Sequence, residues 1–278
     1  MKNLLSVELK REIHSPLMWI VACALIVLNV TKIICTNYGY AITATSFLFH
    51  NTPFICIALS IFIPLHIGQE FELRTINSKI TAGYSRKQIY FTEMIVSILC
   101  GLFWLITDVS SILISSKIKN LPLGFAVENI IIECILCFIC ITSVVAIFTM
   151  ITMLLHKRLN SIAAALCITI LCLHLGGMTV SALLQDEYRI DSNGDPYENE
   201  LHIEGFQRTL ANTHMVISPF AQAKYQCGIL YETPETHAEN SLIFEDSAHH
   251  WEFTIMNLIE MIAFTGIGIS IFKKQGFK

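Results

Sequence analysis

Charged side chains are scarce in this sequence of 278 residues. Lysine and arginine number 18 and aspartate and glutamate 22, together 14% of the chain, where a soluble domain carries about a quarter. So few charges cannot keep in water a chain that is 54% hydrophobic with a mean hydropathy of +0.59. A disordered segment and a basic nucleic-acid-binding domain are excluded on that ground. Motifs are missing as well. No G-x-x-x-x-G-K-[ST] run occurs, so the chain lacks the phosphate-cradling loop of the common ATPases. No H-E-x-x-H or G-x-S-x-G run occurs either, which leaves the usual hydrolase readings without an anchor. The ten cysteines make no disulfide framework, because nine lie in apolar runs and only Cys227 lies in the one long polar segment.

What the sequence has is length in its apolar runs. A hydrocarbon core of about 30 Å needs about 20 helical residues, and six runs qualify: Leu17 to Thr36, Phe47 to Ile67, Ile89 to Ser116, Phe125 to Leu155, Leu159 to Leu184 and Phe253 to Phe272. Lipid offers the backbone no hydrogen-bond partner, so each span must be a helix. The expected fold class is all-α: a polytopic membrane protein with six transmembrane helices in one domain covering residues 1–278. The first run is too long for a signal core and has no cleavage site after it, so it is expected to stay.

Twelve of the eighteen basic residues fall before span one, in the loops after spans two and four, and after span six. The positive-inside bias then puts both termini in the cytoplasm. The polar segment from 185 to 252 faces outward and carries thirteen acidic residues against three basic. Its DSNGDPYENE and YETPETHAEN stretches read as loops around a short helix near Gly205 to His214. Residues 1–16 repeat Leu5, Leu9 and Ile13 every four positions, with Lys2, Lys10, Arg11 and Glu12 elsewhere on the wheel, as an interfacial helix does. Ser15-Pro16 is a cap and first-turn pair at which the chain bends into span one.

The loop IGQEFELRTINSKITAGYSRKQIYFTEMI, between spans two and three, carries clearer punctuation. Gly83 stands where a helix ends, and Ser85 with Gln88 fits a capping box that opens the next helix. Glu70, then Arg74-Thr75-Ile76, then Gly83-Tyr84-Ser85-Arg86 resemble the permease subunits of type-2 ATP-binding-cassette exporters. That family has a Glu, a Gly-Thr-Ile-like triplet and a Gly-x-Ser-Arg turn in this loop. The triplet's glycine is Arg74 here, and a basic residue early in the third span is Glu93. An amphipathic elbow, six spans and a large outer loop between spans five and six are similar too, as in the peptide-export and bacteriocin-immunity branches.

The resemblance implies that 69–82 is a coupling helix that docks on a separate ATPase subunit, with Glu70, Glu72, Arg74, Thr75, Lys79, Gly83, Ser85 and Arg86 as the coupling residues. It also implies a second permease chain, identical or paralogous. No catalysis and no cofactor are then expected on this chain, ATP and Mg being bound by the partner ATPase. The resemblance also implies a bacterial plasma membrane as the setting, and no nucleic-acid partner is expected.

Ionisable residues within spans are costly and are functional candidates by default. Lys32 and Glu128 lie near span ends, whereas Asp108, Glu133 and Glu260 lie deeper and are candidates for the substrate pathway. With Lys32 the only basic residue inside a span, these acids either line a hydrated cavity suited to a cationic, amphipathic peptide, or pair with Lys32, Asn29 and hydroxyls. A drug or lipid exporter, a proton-coupled secondary transporter using the same acids, and a noncatalytic membrane sensor are the other readings. Cys134, Cys137 and Cys140 recur every three residues as a packing stripe, and a metal site there is the weaker reading. His249-His250 beside Trp251 reads as an interfacial belt. Ser218-Pro219-Phe220 also looks like a turn of the same permease group. His174 and Gly176 make the outer half of span five a candidate for a re-entrant break.

Overall fold

The computed structural model describes residues 2–35, 43–124, 126–185, 187–190, 196–227 and 249–274. Among these residues, six helices are long and apolar enough to cross a membrane. They are α2 (Pro16–Cys35), α3 (Thr52–Glu72), α5 (Arg86–Ile118), α6 (Val127–Leu155), α7 (Arg158–Leu183) and α10 (His249–Lys274). Four shorter helices join them: α1 (Lys2–Ile13), α4 (Thr75–Thr81), α8 (Gly205–Ile217) and α9 (Pro219–Gln226). The protein is thus an all-α bundle of multi-pass membrane type. The exception is a small antiparallel hairpin between α7 and α8, β1 (Tyr188–Ile190) and β2 (Pro196–Glu198), with Arg189 opposite Tyr197. The segment 231–240 lies outside the described residues.

α3, α5 and α6 form the centre, with about two-thirds of the most apolar stretch of α3 buried against about a fifth in α7 and α10. α2 packs along α5, α7 along α3, and α10 along α6. The outer helices turn Ile20, Val27, Ile34, Ile170, Leu171, Ile259 and Ile262 outward, as lipid-facing helices do. Close approach at the centre relies on missing side chains. A Cβ on Gly101 of α5 would come 2.7 Å from Ile141 Cγ2 of α6. The indole Nε1 of Trp104 donates to Met18 O at 3.0 Å, tying α5 to the start of α2.

Two local expectations are corrected. The segment 69–82 is not one helix: α3 continues through Glu72, the chain reverses at Arg74 with φ +57°, and α4 is only seven residues long. α7 is not broken at His174 or Gly176 but runs straight through both. The fold-back comes from the polar segment instead. α8 and α9 form a helical hairpin whose tip enters the bundle between α6 and α7, and in α9 Pro219 to Ala223, Tyr225 and Gln226 are buried. Gly176 makes room for it, since a Cβ there would lie 2.7 Å from Ala221 Cα. The tip meets α6 where Cys140 Sγ donates to Pro219 O at 3.1 Å, about 20 Å along α6 from Val127 at helical rise.

Candidate functional site

At the end of the bundle that carries α4, four helices send charged side chains to one buried point. α1 contributes Glu8, Arg11 and Glu12, which share a face at i, i+3 and i+4. α3 contributes His66 and Glu70 at the same spacing, α4 contributes Lys79, and α5 contributes Glu93. Lys79 Nζ lies 2.8 Å from Glu8 Oε1, 2.6 Å from Glu70 Oε1 and 2.8 Å from Glu93 Oε1. Arg11 reaches Glu70 Oε1 at 2.6 Å and Glu8 Oε2 at 2.8 Å. His66 bridges Glu12 at 2.5 Å through Nδ1 and Glu93 at 2.8 Å through Nε2.

Both ring nitrogens face carboxylates, so the imidazole is doubly protonated. Arg11 Nη2 lies within 2.9 Å of both ring nitrogens. An in-plane atom that near to both would collide with Cε1, so the guanidinium lies over the ring face and leaves the in-plane bonds intact. Four carboxylates then face three cations.

None of the four acids is more than 4% exposed, and Glu93 is wholly buried. Uncompensated charge at such a place costs several kcal/mol, so the cluster holds together only as a unit. Burial works against the ammonium of Lys79, but the carboxylates of Glu93 and Glu70 outweigh it and raise its pKa. The guanidinium of Arg11 is likewise opposed by burial, and Glu70 and Glu8 hold it above its ordinary value. Glu8, His66 and Glu93 are near enough to one another to ligate a metal ion. Lys79 already places its ammonium 2.8 Å from both acids; the donor set is satisfied by the protein's own cation and does not suit a metal.

The predicted coupling residues separate into two groups. Glu70 and Lys79 belong to the cluster. Arg86 turns instead to α10, donating from Nη1 to Phe272 O at 2.8 Å and Lys273 O at 3.2 Å, a cation at the negative end of that helix. Thr75 Oγ1 donates to Glu70 O at 3.1 Å and so latches α4 to the last turn of α3. Ser85 Oγ accepts from Gln88 N while Ser85 N donates to Gln88 Oε1, and Gly83 sits at φ +91° just before them. Glu72 and Arg74 are exposed on the outer side of the turn.

The three span acids do not converge. Asp108 Oδ1 accepts from Asn29 Nδ2 at 2.9 Å and Asn51 Nδ2 at 2.8 Å, and Lys32 Nζ donates to Asn51 Oδ1 at 2.8 Å. Glu260 Oε2 accepts from Ser143 Oγ at 2.7 Å. Glu133 is buried in α6, near enough to Tyr225 of α9 to act on it electrostatically. The arrangement for Asp108 and Glu260 is internal pairing, the alternative the sequence left open beside a shared cavity. Of the cysteine stripe, Cys137 Sγ donates to Gln226 Oε1 at 2.9 Å and Cys140 to Pro219 O, so two thiols seat α9. Glu128 begins α6.

Two of the cavities among the described residues open on the surface near these elements. One, of about 500 Å³, lies between α7 and Lys224 of α9 and is lined by His174, Gly177, Met178 and Gln185. The other, of about 550 Å³, lies between α1 and α3. Neither is lined by Asp108, Glu133 or Glu260.

Sequence reasoning missed Glu8, Arg11, Glu12, His66 and Glu93 as site residues. Glu12 reads as a solvated position on the α1 wheel, yet it is 4% exposed. The available signal was the pair of i, i+4 ionisable couples, Glu8 with Glu12 and His66 with Glu70, the second at the end of a largely apolar helix. No family model matches the chain, and no curated protein matches it.

Proposed function

We propose that this chain is the membrane subunit of an ATP-driven exporter of the type-2 ATP-binding-cassette class, in which α4 receives the push of a separate ATPase subunit. The observation that carries the reading is the suspension of α4. It is seven residues long, hung between α3 and α5 by the turns at Arg74 and Gly83, and pinned through Lys79 to α1, α3 and α5 at once. A force on its exposed side is delivered to three helices without passing through a flexible loop. Arg74 adds support. It stands where the resembling motif has a glycine, and its φ of +57° is one that glycine adopts at least cost.

On this reading α1 is the elbow, the α4 end of the bundle is cytoplasmic, two such chains flank the pathway, and ATP and Mg are bound by the partner. The cargo we propose is an amphipathic cationic peptide, on the strength of the thirteen acidic residues in 185–252. The span acids lend it no support, since Asp108 and Glu260 are bonded within the protein. A secondary transporter or a sensor requires no ATPase partner, and that separates the readings.

The test is isolation of the tagged chain from its native membrane in mild detergent, with assay of ATP hydrolysis in the purified particle. An ATPase that copurifies, with hydrolysis lost in Arg74→Glu/Thr81→Glu, is the expected result. Those two side chains are exposed on and beside α4, so the substitution leaves the charge cluster intact. A particle without ATPase, or one whose hydrolysis and export ignore the double substitution, overturns the proposal.

A further inference from the structure

The cavity between α1 and α3 has the chemistry of an anionic amphiphile's site. Its rim carries Lys10 and Arg11 from the last turn of α1 and His14 just beyond it, and its wall is Pro16, Phe62 and Leu65. Lys10 and His14 are exposed, Phe62 is 1% exposed, and the volume of about 550 Å³ leaves room for a headgroup. The one carboxylate in the lining, Glu12, is held by His66 at 2.5 Å and faces the cluster.

The place in the fold narrows the occupant. The cavity sits at the junction where α1 ends and the first apolar span begins at Pro16. Beside it Trp19 donates from Nε1 to Ile13 O at 2.8 Å, and Trp19, Ile20 and Ile13 are at least half exposed. Such an indole marks the depth of lipid headgroups, and basic cavities between spans at that depth take acidic headgroups.

We propose that this cavity binds the headgroup phosphate of an anionic glycerophospholipid, with the acyl chains lying along Trp19 and Ile20. The phosphate meets Lys10 and His14 directly. Arg11 forms the inner edge of the same cavity while its guanidinium holds Glu8 and Glu70, so the lipid rests against the cluster that fixes α4. The proposal does not depend on an ATPase partner, because it concerns binding to the chain itself.

The experiment is native mass spectrometry of the delipidated full-length protein in mild detergent, titrated with phosphatidylglycerol or with phosphatidylcholine of the same acyl chains. Wild type is expected to retain phosphatidylglycerol preferentially. Lys10→Ala/His14→Ala and the milder Lys10→Gln should each lower that preference by about fivefold or more, as loss of one basic contact near a headgroup does. Lys117→Ala, an exposed lysine at the end of α5, should leave it unchanged. Equal retention of the two lipids, an unchanged preference in both cavity variants, or an equal fall in Lys117→Ala overturns the proposal. Displacement of the lipid by millimolar inorganic phosphate overturns it too, by making the site one for the free anion.

Discussion

Replacing Lys79 by methionine keeps the apolar stem and removes the ammonium on which Glu8, Glu70 and Glu93 converge at 2.6–2.8 Å. The lysine side chain is 11% exposed and those of its partners no more than 3%, so water cannot replace what is lost. Breaking a buried pair from one side costs about 3–5 kcal/mol, and that is the expected loss of unfolding free energy for K79M. The companion variant Glu93→Gln should lose a comparable amount, and the double variant less than their sum, with a coupling of about 1–3 kcal/mol. Reversible unfolding in mixed micelles, followed by tryptophan fluorescence, measures all three. Lys87→Met, an exposed lysine in the first turn of α5, is the reference and should shift by less than about 0.5 kcal/mol. If K79M is no worse than K87M, or the cycle shows no coupling, the cluster is not the mechanical joint described above. The pH dependence follows from the sign of the shift. The folded-state pKa of Lys79 lies above the ordinary value of about 10.4. The gap between wild type and K79M should therefore stay constant from pH 7 to 9 and close as pH rises through the folded-state value.

Further expectations concern other parts of the bundle. Gly176→Val places side-chain atoms against Ala221 Cα, which a Cβ alone would approach to 2.7 Å; α9 should lift, costing about 1–3 kcal/mol. Maleimide labelling of Cys137 and Cys140, resolved by peptide mass, should rise from its wild-type level. Gly83→Ala meets open space but keeps φ +91°, so the loss should be about 1–2 kcal/mol of backbone strain without any packing change. Asn51→Leu removes the amide that joins Asp108, Asn29 and Lys32. It should cost about 1.5–3 kcal/mol in the same unfolding assay, and no loss would mean the three do not act together.

The spans were legible because hydropathy over 20 residues is a local property, and lipid permits only helix there. The Ser85 capping box was legible for the same reason, since its partners lie three residues apart. The charge cluster was not. Glu8, His66, Lys79 and Glu93 come from four separate helices; Glu8 and Lys79 taken alone look like ordinary members of a solvated helix or loop, and His66 and Glu93 lie near the ends of apolar runs, where polar residues are expected. Burial of α9 was hidden in another way. PFAQAKYQ carries a lysine, two glutamines and a tyrosine, and only the partners it meets show why it can be buried: Gly176 for its backbone, Asn257 for Gln222 at 2.6 Å, and Cys137 for Gln226. Asp108 shows the same limit, since its companions Asn29 and Asn51 come from two other segments of the chain.

The charge cluster also constrains how the chain is made. Glu8 and Glu12 emerge from the ribosome with Arg11 alone to balance them, while His66 and Lys79 follow some 60–70 residues later. At about 5–20 residues per second that interval is roughly 3–14 s. During it the first helix cannot take its final seat, because two acids would be embedded with a single cation. The amino-terminal segment takes its final seat only once α3, α4 and the start of α5 have been made, so the cluster closes by a return to the first residues synthesised.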